Sequence, residues 1–482
     1  MPSSSNLDSP ASRASSSVCK VALLGFGTVG SSVAKILVER RNTHLRLTHI
    51  LNRNVARKKV DWLPADVVWT ENIDDILASG ADIVVEVMGG LQPTEDWIRR
   101  ALSSGKSVVT ANKQLIAHCG PELTSLAQQM QQQIEFGASV AGGVPVISGL
   151  HQGLAGDELF KIYGILNGTC NYILSQIEAN GVPFATALRE AQKLGFAEAD
   201  PTDDIDGLDA RAKLTILARV ALHCDVPATS IVARSISPID AVDFENAAQL
   251  GCTIRQVSRA ELKDDKLFAA VEPALVELNS PLARVEGSQN LVMATGIYGG
   301  ETVFGGHGAG GHPTAVAVVS DILSIARTSE TRTNETRTND ARTNDARTND
   351  ARTNDARTND TRTNDARMNQ APAKRASAQQ SGQEDFDRAR QKSPTVTSDF
   401  ITKHYLRFLV KDRPGIIASL ASILAHSEVN ILSVLQKPNS PKSHLPLLIT
   451  LEECPTSLVE QALKQINALD FMAQPCLHLP IL

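Results

Sequence analysis

The chain has few aromatic side chains and no marked excess of one charge. Aromatic residues make up 4% of its 482 residues, and 47 lysines and arginines stand against 53 aspartates and glutamates. A protein without a basic excess cannot neutralise a phosphate backbone, and few aromatics leave few platforms on which bases could stack. We therefore expect no nucleic-acid partner.

The chain also lacks long apolar runs and paired cysteines. No run approaches the ~18 apolar residues of a membrane-spanning helix, so we expect no membrane partner. The seven cysteines form no C-x-x-C pair, which argues against a disulfide framework or a zinc site and favours a reducing compartment, namely the cytoplasm. Residues 1–17 are serine-rich and are predicted to be a disordered extension, with a transit peptide as the alternative.

Strands and helices alternate over residues 18–145. Apolar runs such as 21–24 and 107–110 are separated by helical stretches such as 31–41 and 95–104. This alternation predicts an α/β domain with a doubly wound parallel sheet of the Rossmann type.

The middle of the chain has a different pattern. Residues 146–327 mix predicted helices, among them 205–223, with predicted strands, which indicates an α+β domain. Residues 331–370 then consist of eight five-residue units of the ARTND kind, which offer almost no apolar side chain to bury. We predict that residues 328–398 form a disordered linker enlarged by repeat expansion.

The last part, residues 399–482, has a regular order of elements. A strand with Leu406, Phe408 and Val410 on one face is followed by the turn at Asp412–Gly415 and a helix. Two further strands, a helix and a last strand near 471–478 complete the order β-α-β-β-α-β, which predicts a ferredoxin-like unit.

A glycine fingerprint lies between the first predicted strand and helix. Its residues are Gly25, Phe26, Gly27, Thr28, Val29 and Gly30. In a dinucleotide site the first glycine permits a tight turn, the second lets the backbone approach a pyrophosphate, and the third allows close packing of helix and strand. The alternative is a glycine turn without a ligand.

The end of the second predicted strand bears on the choice of nucleotide. An acid there would bond the ribose 2′-hydroxyl of NAD, but this chain has Arg53, with further basic residues close behind. An arginine favours a 2′-phosphate, so we expect NADP, with NAD possible. The alternative is a solvated basic loop.

An acidic segment precedes and enters the helix predicted over 205–223. Asp209 and Lys213 are four residues apart and share a helix face, beside a buried stripe predicted at Ile205, Leu208, Ala212, Ile216 and Val220. Such a pair is most often a surface ion pair of a few tenths of a kcal/mol. The acids upstream, among them Glu198, favour a site for a small zwitterionic substrate, in which a lysine transfers a proton.

Together these segments resemble homoserine dehydrogenase, with a C-terminal unit similar to an ACT domain. The resemblance rests on the following segments: GFGTVG (25–30), VVEVMGG (84–90), TANK (110–113), SVAGGVPVI (139–147), GILNGTCNYIL (164–174), GFAEADPTDDIDGLDARAK (195–213) and GAGGHPTA (308–315). It implies NAD(P)H-dependent reduction of L-aspartate 4-semialdehyde to L-homoserine, on the route to threonine, methionine and isoleucine. It also implies that residues 146–327 bind substrate and dimerise, in a homodimer or a higher homo-oligomer.

The resemblance assigns roles to individual residues. It implies that Lys213 donates the proton, that Lys113 lies beside the nicotinamide, that Glu198 and Asp209 hold the substrate, and that Gly195 and Gly308 approach the cofactor. It also implies a sodium site made by the backbone carbonyls of Val140, Gly142 and Val144. The chain departs from the family where a glutamate usually precedes these carbonyls, because it has Gly137 there.

The ACT-like unit implies an amino-acid effector, with threonine as the inhibitor. Its expected site is at Asp412, Gly415 and Asn430. Two other functions stay open from the residues. One is another small-aldehyde or imine reductase; the acylating kind of semialdehyde dehydrogenase would need a nucleophilic cysteine such as Cys170, which we interpret as a packing residue. The other is a non-catalytic, nucleotide-bound amino-acid sensor.

Overall fold

The computed structural model describes residues 18–40, 44–329, 393–436 and 444–482. The disordered extension predicted over 1–17 and the repeat tract within the predicted linker lie outside the described residues. No helix in the described ranges is long and apolar enough to cross a membrane.

The first domain is built on a six-stranded sheet with the order β3-β2-β1-β4-β5-β6. Every strand pair in it is parallel, which confirms the predicted doubly wound Rossmann-type sheet. Its elements are β1 (Cys19–Leu24), α1 (Thr28–Glu39), β2 (Leu45–Leu51), α2 (Val55–Lys58), β3 (Val68–Thr70), α3 (Ile73–Ala78), β4 (Ile83–Glu86), α4 (Thr94–Ser103), β5 (Ser107–Thr110), α5 (Lys113–Gln129) and β6 (Ile134–Glu135).

The second domain is built on long antiparallel strands, with helices over the sheet. Its longest hairpin pairs Lys266 with Lys263 at one end and Glu277 with Cys252 at the other. Its elements are α6 (Val146–Ser148), β7 (Leu159–Ile165), α7 (Gly168–Asn180), α8 (Phe184–Lys193), α9 (Thr202–Ile205), α10 (Leu208–Leu222), β8 (Val232–Ala233), α11 (Ala241–Gln249), β9 (Cys252–Lys263), β10 (Lys266–Glu277), β11 (Gln289–Gly296), β12 (Gly300–His307) and α12 (311–329).

Helix α12, the last of these elements, packs against the first domain instead of the second. Ala315, Val318 and Ile322 of α12 are buried in the core of the first domain, in one cluster with Val33 of α1. The chain therefore returns to the six-stranded sheet of the first domain after it has built the second domain.

The helix predicted over 205–223 is divided in two. It breaks between α9 and α10, where Gly207 has φ +76°, a conformation that glycine adopts at little cost. The predicted stripe is partly wrong, because Leu208, Ala212 and Val220 are only half-buried. The most buried face of α10 instead carries Ala210, Leu214 and Leu217, which follow helical spacing.

The third domain has the predicted ferredoxin-like order, with strands arranged β17-β14-β16-β15. Two helices cover the face that carries Leu406, Phe408 and Val410, all fully buried. The short strand β13 (Thr395–Thr397) pairs with β10 of the second domain, so this end of the predicted linker is ordered and the prediction is wrong there. The elements of the third domain are β14 (Ile401–Val410), α13 (Ile416–His426), β15 (Ile431–Gln436), β16 (Leu445–Pro455), α14 (Thr456–Ile466) and β17 (Leu477–Ile481).

The last strand does not lie where the sequence pattern predicts it. Met472 makes only an isolated bridge to Val410, and the strand itself begins at Leu477. Pro475 lies between the two, and since proline has no N–H to donate, it interrupts the pairing.

The second and third domains share one sheet of 11 strands. Leu275 of β10 pairs with Ile481 of β17, and the N–H of Leu482 donates to the carbonyl of Leu275 at 2.8 Å. Two neighbouring side chains of β14 reach across the junction to the fully buried Asp243 of α11. The hydroxyl of Tyr405 donates to Asp243 Oδ1 at 2.7 Å, and Nε of Arg407 lies 2.7 Å from the same oxygen.

Candidate functional site

The glycine fingerprint forms the turn between β1 and α1, and its three glycines are required for different reasons. Gly25 has φ +99°, and a Cβ there would lie 2.8 Å from Cγ of Met88. A Cβ on Gly30 would lie 2.1 Å from the carbonyl oxygen of Gly25, whereas a Cβ on Gly27 would meet nothing within 4 Å. The open space is therefore at Gly27, the N-cap of α1, where a phosphate could approach the first N–H groups of the helix.

The other fingerprint residues differ in what they expose. The ring of Phe26 is buried and packs edge-on against Trp69 at 4.9 Å, so its side chain belongs to the core. Thr28 is exposed and Val29 half-buried in the first turn of α1. The structure thus leaves the backbone of this turn, rather than the Phe26 ring, to face a ligand.

Arg53 follows β2 at the edge of this turn. The side chain of Asn52 accepts a hydrogen bond from the N–H of Phe26 at 3.0 Å and donates to the carbonyl of Arg53 at 2.5 Å. Arg53 is exposed, and no ion pair to its guanidinium is found in the described part of the chain. The side chain of Asn52 therefore links the backbone of Arg53 to the backbone of the fingerprint at Phe26.

Two lysines from different domains share one buried carboxylate. Nζ of Lys213 lies 2.7 Å from Oδ2 of Asp209 and donates to the carbonyl of Leu166 at 2.8 Å. Lys113, the first residue of α5, forms an ion pair with Oδ1 of the same carboxylate. The side chain of Asp209 is 5% exposed, whereas those of Lys213 and Lys113 are 13% and 39% exposed. Both amines thus border open space.

The carboxylate of Asp209 and the two lysine amines stabilise one another electrostatically. Burial alone would raise the pKa of Asp209, but Lys213 and Lys113 outweigh it and hold that pKa below its usual value. Burial would likewise lower the pKa of Lys113, but Asp209 outweighs it and raises that pKa. The site therefore presents an ionised Asp209 between two lysine amines, and this carboxylate favours the charged form of Lys113.

The contact between α5 and α10 sets the position of Lys113 relative to Lys213. Nη1 of Arg219 on α10 donates to the carbonyl of Ile116 on α5 at 2.7 Å. Ile116 and Ala117 are buried in one cluster with Leu214 and Leu217. This packing joins the first and second domains directly behind the amines.

Asn167 and Asp204 belong to the same group; Asp204 is one of the acids upstream of the helix that favour a substrate site, whereas Asn167 was not among the residues predicted for the site. Nδ2 of Asn167 donates to Oδ1 of Asp204 at 2.6 Å and to Oδ2 of Asp209 at 2.9 Å. Its Oδ1 accepts from the N–H of Cys170 at 2.8 Å and caps α7. An asparagine before an apolar helix is a recognisable cap signal, but the sequence does not reveal its link to the carboxylates.

The structure does not bring the carboxylate of Glu198 into this group. Glu198 is exposed, and its backbone carbonyl accepts from Nε2 of Gln192 at 3.1 Å. Its loop, which begins at Gly195, is tied to α7 where the hydroxyl of Thr169 donates to the carbonyl of Phe196 at 2.7 Å. The loop is therefore held against α7 at Thr169, two residues after Asn167.

Gly308 and the carbonyls expected to bind sodium lie in two interlocking loops. A Cβ on Gly142 would lie 2.3 Å from the carbonyl oxygen of Gly308, and one on Gly308 would lie 1.6 Å from Oδ1 of Asn290. A Cβ on Gly311 would lie 3.0 Å from Cγ2 of Thr28. The loops thus reach the start of α1, with Val140 and Val144 buried behind them.

The position of the missing glutamate is filled by another carboxylate. Oδ2 of Asp321 on α12 accepts from the N–H of Gly137 at 2.9 Å, and a Cβ on Gly137 would lie 2.8 Å from Asp321 Oδ1. Burial, aided by Glu135, raises the pKa of Asp321 to about 7. In the described part of the chain, no three or more His, Cys, Asp or Glu side chains form a group that could hold a metal.

Cys170 has the environment of a packing residue. It is fully buried, its Sγ donates to the carbonyl of Asp204 at 3.0 Å, and burial raises its pKa well above the usual value. A nucleophilic cysteine needs an accessible thiolate. This position therefore does not support the acylating kind of semialdehyde dehydrogenase.

The residues expected to bind an effector lie at opposite ends of the sheet of the third domain, since β14 pairs with Leu445 at the start of β16 just before Asp412, whereas Asn430 lies beside Glu452 near the end of β16. Asp412 and Gly415 are in the turn between β14 and α13, where Gly415 has φ +92°. Asn430 directly precedes β15, and its Nδ2 donates to Oε2 of Glu452 at 3.1 Å. All three predicted residues are exposed.

Family comparisons cover the three domains. A model described as the homoserine dehydrogenase NAD-binding domain matches residues 25–137, and one described as homoserine dehydrogenase matches residues 145–323. An ACT domain model matches residues 404–471.

Individual relatives match over most of their length. The homoserine dehydrogenase of Mycobacterium leprae (strain TN) is 37% identical over 431 residues, 86% of each chain. That of Neisseria gonorrhoeae (strain ATCC 700825 / FA 1090) is 30% identical, covering 94% of this chain and 96% of the relative.

Two solved structures show the same likeness. The homoserine dehydrogenase from Thiobacillus denitrificans superposes with a TM-score of 0.78 at 30% identity, covering 96% of this chain and 98% of that one. A hyperthermophilic archaeal homoserine dehydrogenase, solved in complex with NADPH, gives a TM-score of 0.56 at 28% identity, covering 64% and 98%.

Proposed function

The chain belongs to the homoserine dehydrogenase family, and we propose that it catalyses the reversible NAD(P)H-dependent reduction of L-aspartate 4-semialdehyde to L-homoserine. Members of this family are oxidoreductases that act on a CH–OH group. The observation that carries the proposal is the pair of lysine amines on the buried carboxylate of Asp209. The pathway would be the synthesis of threonine, methionine and isoleucine.

The residues present fit a dinucleotide, since the space at Gly27 is open and lies at a helix N-terminus. When bound, the nicotinamide supplies a hydride to the aldehyde carbon. The electron pair of the C=O bond then moves to the oxygen, which takes a proton from Nζ of Lys213. Leu166 and Asp209 orient this amine by accepting its other hydrogen bonds.

Lys113 and the acids would hold the substrate. An amine that carries its charge beside the developing alkoxide stabilises it more than it stabilises the neutral carbonyl, and this difference lowers the barrier. Asp209 favours the charged form of Lys113 and holds both amines in place through its two ion pairs. Glu198 would bind the substrate amino group from the loop that is anchored at Thr169.

A single assay tests the function. The full chain is mixed with NADPH and L-aspartate 4-semialdehyde, and the loss of NADPH absorbance is followed. We expect steady oxidation that requires the substrate and is unaffected by iodoacetamide, because Cys170 is buried. NADPH binding without oxidation would instead support a nucleotide-bound sensor, and activity with other small aldehydes only would support a different reductase.

We propose that the cofactor is preferentially NADP, with NAD as the weaker alternative. The support is the exposed guanidinium of Arg53, whose backbone Asn52 fastens beside the fingerprint. A guanidinium suits a 2′-phosphate better than a 2′-hydroxyl. The archaeal relative, solved with NADPH, shows that a member of the family accepts the phosphorylated form.

We also propose a weak monovalent-cation site at the carbonyls of Val140, Gly142 and Val144. Backbone carbonyls are suitable ligands for sodium. However, the carboxylate nearest to Gly137, that of Asp321, already accepts a hydrogen bond there, and the carbonyl of Val144 accepts from the N–H of Val146 at 2.8 Å. Activity measured in sodium chloride and in choline chloride at equal ionic strength tests this site.

The remaining proposals concern regulation, assembly and location. We propose that threonine binds the ACT domain near Asp412, Gly415 and Asn430 and inhibits turnover. We further propose a homodimer or higher homo-oligomer in the cytoplasm. Sedimentation of the full chain with and without threonine tests assembly and effector binding together.

A further inference from the structure

Glu86 is a carboxylate in the interior of the nucleotide-binding sheet. It is the last residue of β4 and is fully buried. Its Oε1 accepts from the N–H of Met88 at 2.7 Å and from that of Gly89 at 2.9 Å, while its Oε2 accepts from the hydroxyl of Thr110 at 2.5 Å. One carboxylate thus joins the turn after β4 to the end of β5.

The contacts continue from Thr110 to the start of α5. The hydroxyl oxygen of Thr110 accepts from the N–H of Asn112 at 3.0 Å. The side chain of Asn112 donates to the carbonyl of Gly90 at 2.6 Å and accepts from the N–H of Leu115 at 3.1 Å, which caps α5. The first residue of that helix is Lys113.

These hydrogen bonds form a closed ring that connects the Gly89–Gly90 turn on one side with the Lys113 amine on the other. On one side, Gly89 and Gly90 have positive φ values, and a Cβ on either would meet nothing within 4 Å, so their turn faces open space. The turn lies beside the fingerprint, because a Cβ on Gly25 would contact Met88. On the other side is the Lys113 amine, paired with Asp209.

We propose that Glu86 is a positioning residue that holds the Gly89–Gly90 turn of the cofactor cleft and Lys113 of the proton-transfer group in one fixed register. Glu86 touches neither lysine; it acts through Thr110 and Asn112 on one side and through the N–H groups of Met88 and Gly89 on the other. The proposal rests on the function proposed above, because it assigns Glu86 to the same reaction.

The chemistry of the ring explains why the acid cannot be replaced by its amide. All three groups that face Glu86 donate hydrogen bonds, and a carboxylate offers acceptors only. In Glu86→Gln, an amide nitrogen turned toward Met88 and Gly89 would face two N–H donors. Turned toward Thr110, it would require the hydroxyl to accept twice, since Asn112 already donates to it. The first orientation breaks the ring, and the second leaves the hydroxyl hydrogen of Thr110 without its acceptor at a buried position.

The burial of Glu86 also indicates that it contributes through its hydrogen bonds and not through packing alone. Burial raises the pKa of Glu86, although the hydrogen bonds from Thr110, Gly89 and Met88 oppose that rise. A charged group in a dry interior costs stability unless it is fully bonded. An apolar side chain would serve packing alone at least as well, so the contribution of the acid is its three directed bonds.

The test compares Glu86→Gln, Thr110→Val and Thr110→Ser in the full chain. The dissociation constant of NADPH is measured by fluorescence titration, and kcat and KM for L-aspartate 4-semialdehyde by NADPH oxidation. Glu86→Gln should weaken NADPH binding and lower kcat, each by about tenfold, because each side of the ring faces a mismatched group in one of the two amide orientations. Thr110→Val should lower kcat by about tenfold while the NADPH constant stays within about twofold. Thr110→Ser keeps the hydroxyl and should restore kcat.

Asp157→Asn is the matched control. Asp157 also accepts from two consecutive backbone N–H groups, those of Tyr298 at 3.0 Å and Gly299 at 2.8 Å, but in an exposed turn. Its variant should leave both kcat and the NADPH constant unchanged.

Two results overturn the proposal. One is that the variants lower thermal stability but leave kcat and the NADPH dissociation constant unchanged. The other is a Thr110→Val variant that Thr110→Ser does not rescue. If Glu86→Gln does not fold, the two Thr110 variants still decide the question. The failure of the proposed function is recognised separately, because then the wild-type chain shows no turnover, while the NADPH titrations still report on Glu86.

Discussion

Tyr405 of the ACT domain donates its hydroxyl hydrogen bond to Asp243 of the second domain, and both side chains are fully buried. Burial raises the pKa of Asp243 although Arg407 opposes that rise. Removal of the ACT domain would therefore leave Asp243 without two of its partners. Deletion of residues 399–482 does not test regulation cleanly, because it also damages the catalytic domain.

Point variants at the effector residues provide a cleaner test of regulation. We expect Asp412→Ala and Asn430→Ala to raise the threonine concentration for half-inhibition by about tenfold each, the effect of one lost hydrogen bond to a ligand. Both residues are exposed, so basal kcat should not change. Steady-state inhibition curves measure the effect. Unchanged inhibition in both variants would mean that threonine does not bind there.

Loss of the Lys213 amine should remove most of the turnover. Lys213→Ala is expected to lower kcat by about 100-fold to 10,000-fold, the usual contribution of a general acid, in a variant that still folds, because Lys113 and Asn167 remain bonded to Asp209. Lys193→Ala, on the exposed end of α8, is the control and should keep wild-type turnover. Near-normal kcat in Lys213→Ala would refute its role as proton donor.

Asp209→Asn should destabilise the fold, because it leaves two ammonium groups beside each other without their carboxylate. We expect the free energy of unfolding to fall by about 3 kcal/mol at pH 7. Since folding lowers the pKa of Asp209 from 3.8, its contribution is present above that value and is lost as the pH falls through the folded pKa. Urea unfolding of both proteins at pH 7 and at pH 3 measures the difference in the free energy of unfolding, which should narrow in acid, and a difference that widens there would contradict the assignment.

Asp321→Asn should have the opposite dependence on pH. Folding raises the pKa of Asp321 from 3.8 to about 7, so the folded state binds this proton more tightly than the unfolded state, and the wild type loses stability as the pH rises between these values. The variant cannot ionise there. Its thermal unfolding temperature, relative to that of the wild type, should therefore increase from pH 5 to pH 8. The exposed Asp61→Asn should show no such trend.

Arg53→Ala should change the choice between the two cofactors. We expect KM for NADPH to rise by about tenfold, since a charge-assisted bond to a phosphate is lost, while KM for NADH stays nearly constant. Arg40→Ala, exposed at the end of α1, controls for the loss of one positive charge. An unchanged ratio of the two constants would show that another group reads the 2′-phosphate.

Local patterns predicted the parts of the molecule that depend on neighbours in sequence. The three fingerprint glycines and the shared face of Asp209 and Lys213 follow from helix and turn geometry alone, and both recur in the structure. The break at Gly207 was missed because a continuous apolar pattern masked a single residue with positive φ.

Contacts between distant segments could not be predicted in this way. Neither the bond from Asn167 to Asp204 nor the ring at Glu86 leaves a periodic signal, since each joins side chains that only the folded sheet brings together. The same holds for the pairing of Leu275 with Ile481, which turns two predicted domains into one sheet.

The bond from Arg219 to the carbonyl of Ile116 has a consequence for the chemistry. Because α5 and α10 share a packed core, we expect the two amines to be held on Asp209 as soon as the chain folds. On the proposed mechanism, the reaction would then need no rearrangement of these groups on its way to the alkoxide. Differences in rate between related aldehydes should accordingly reflect how each aldehyde fits the cleft.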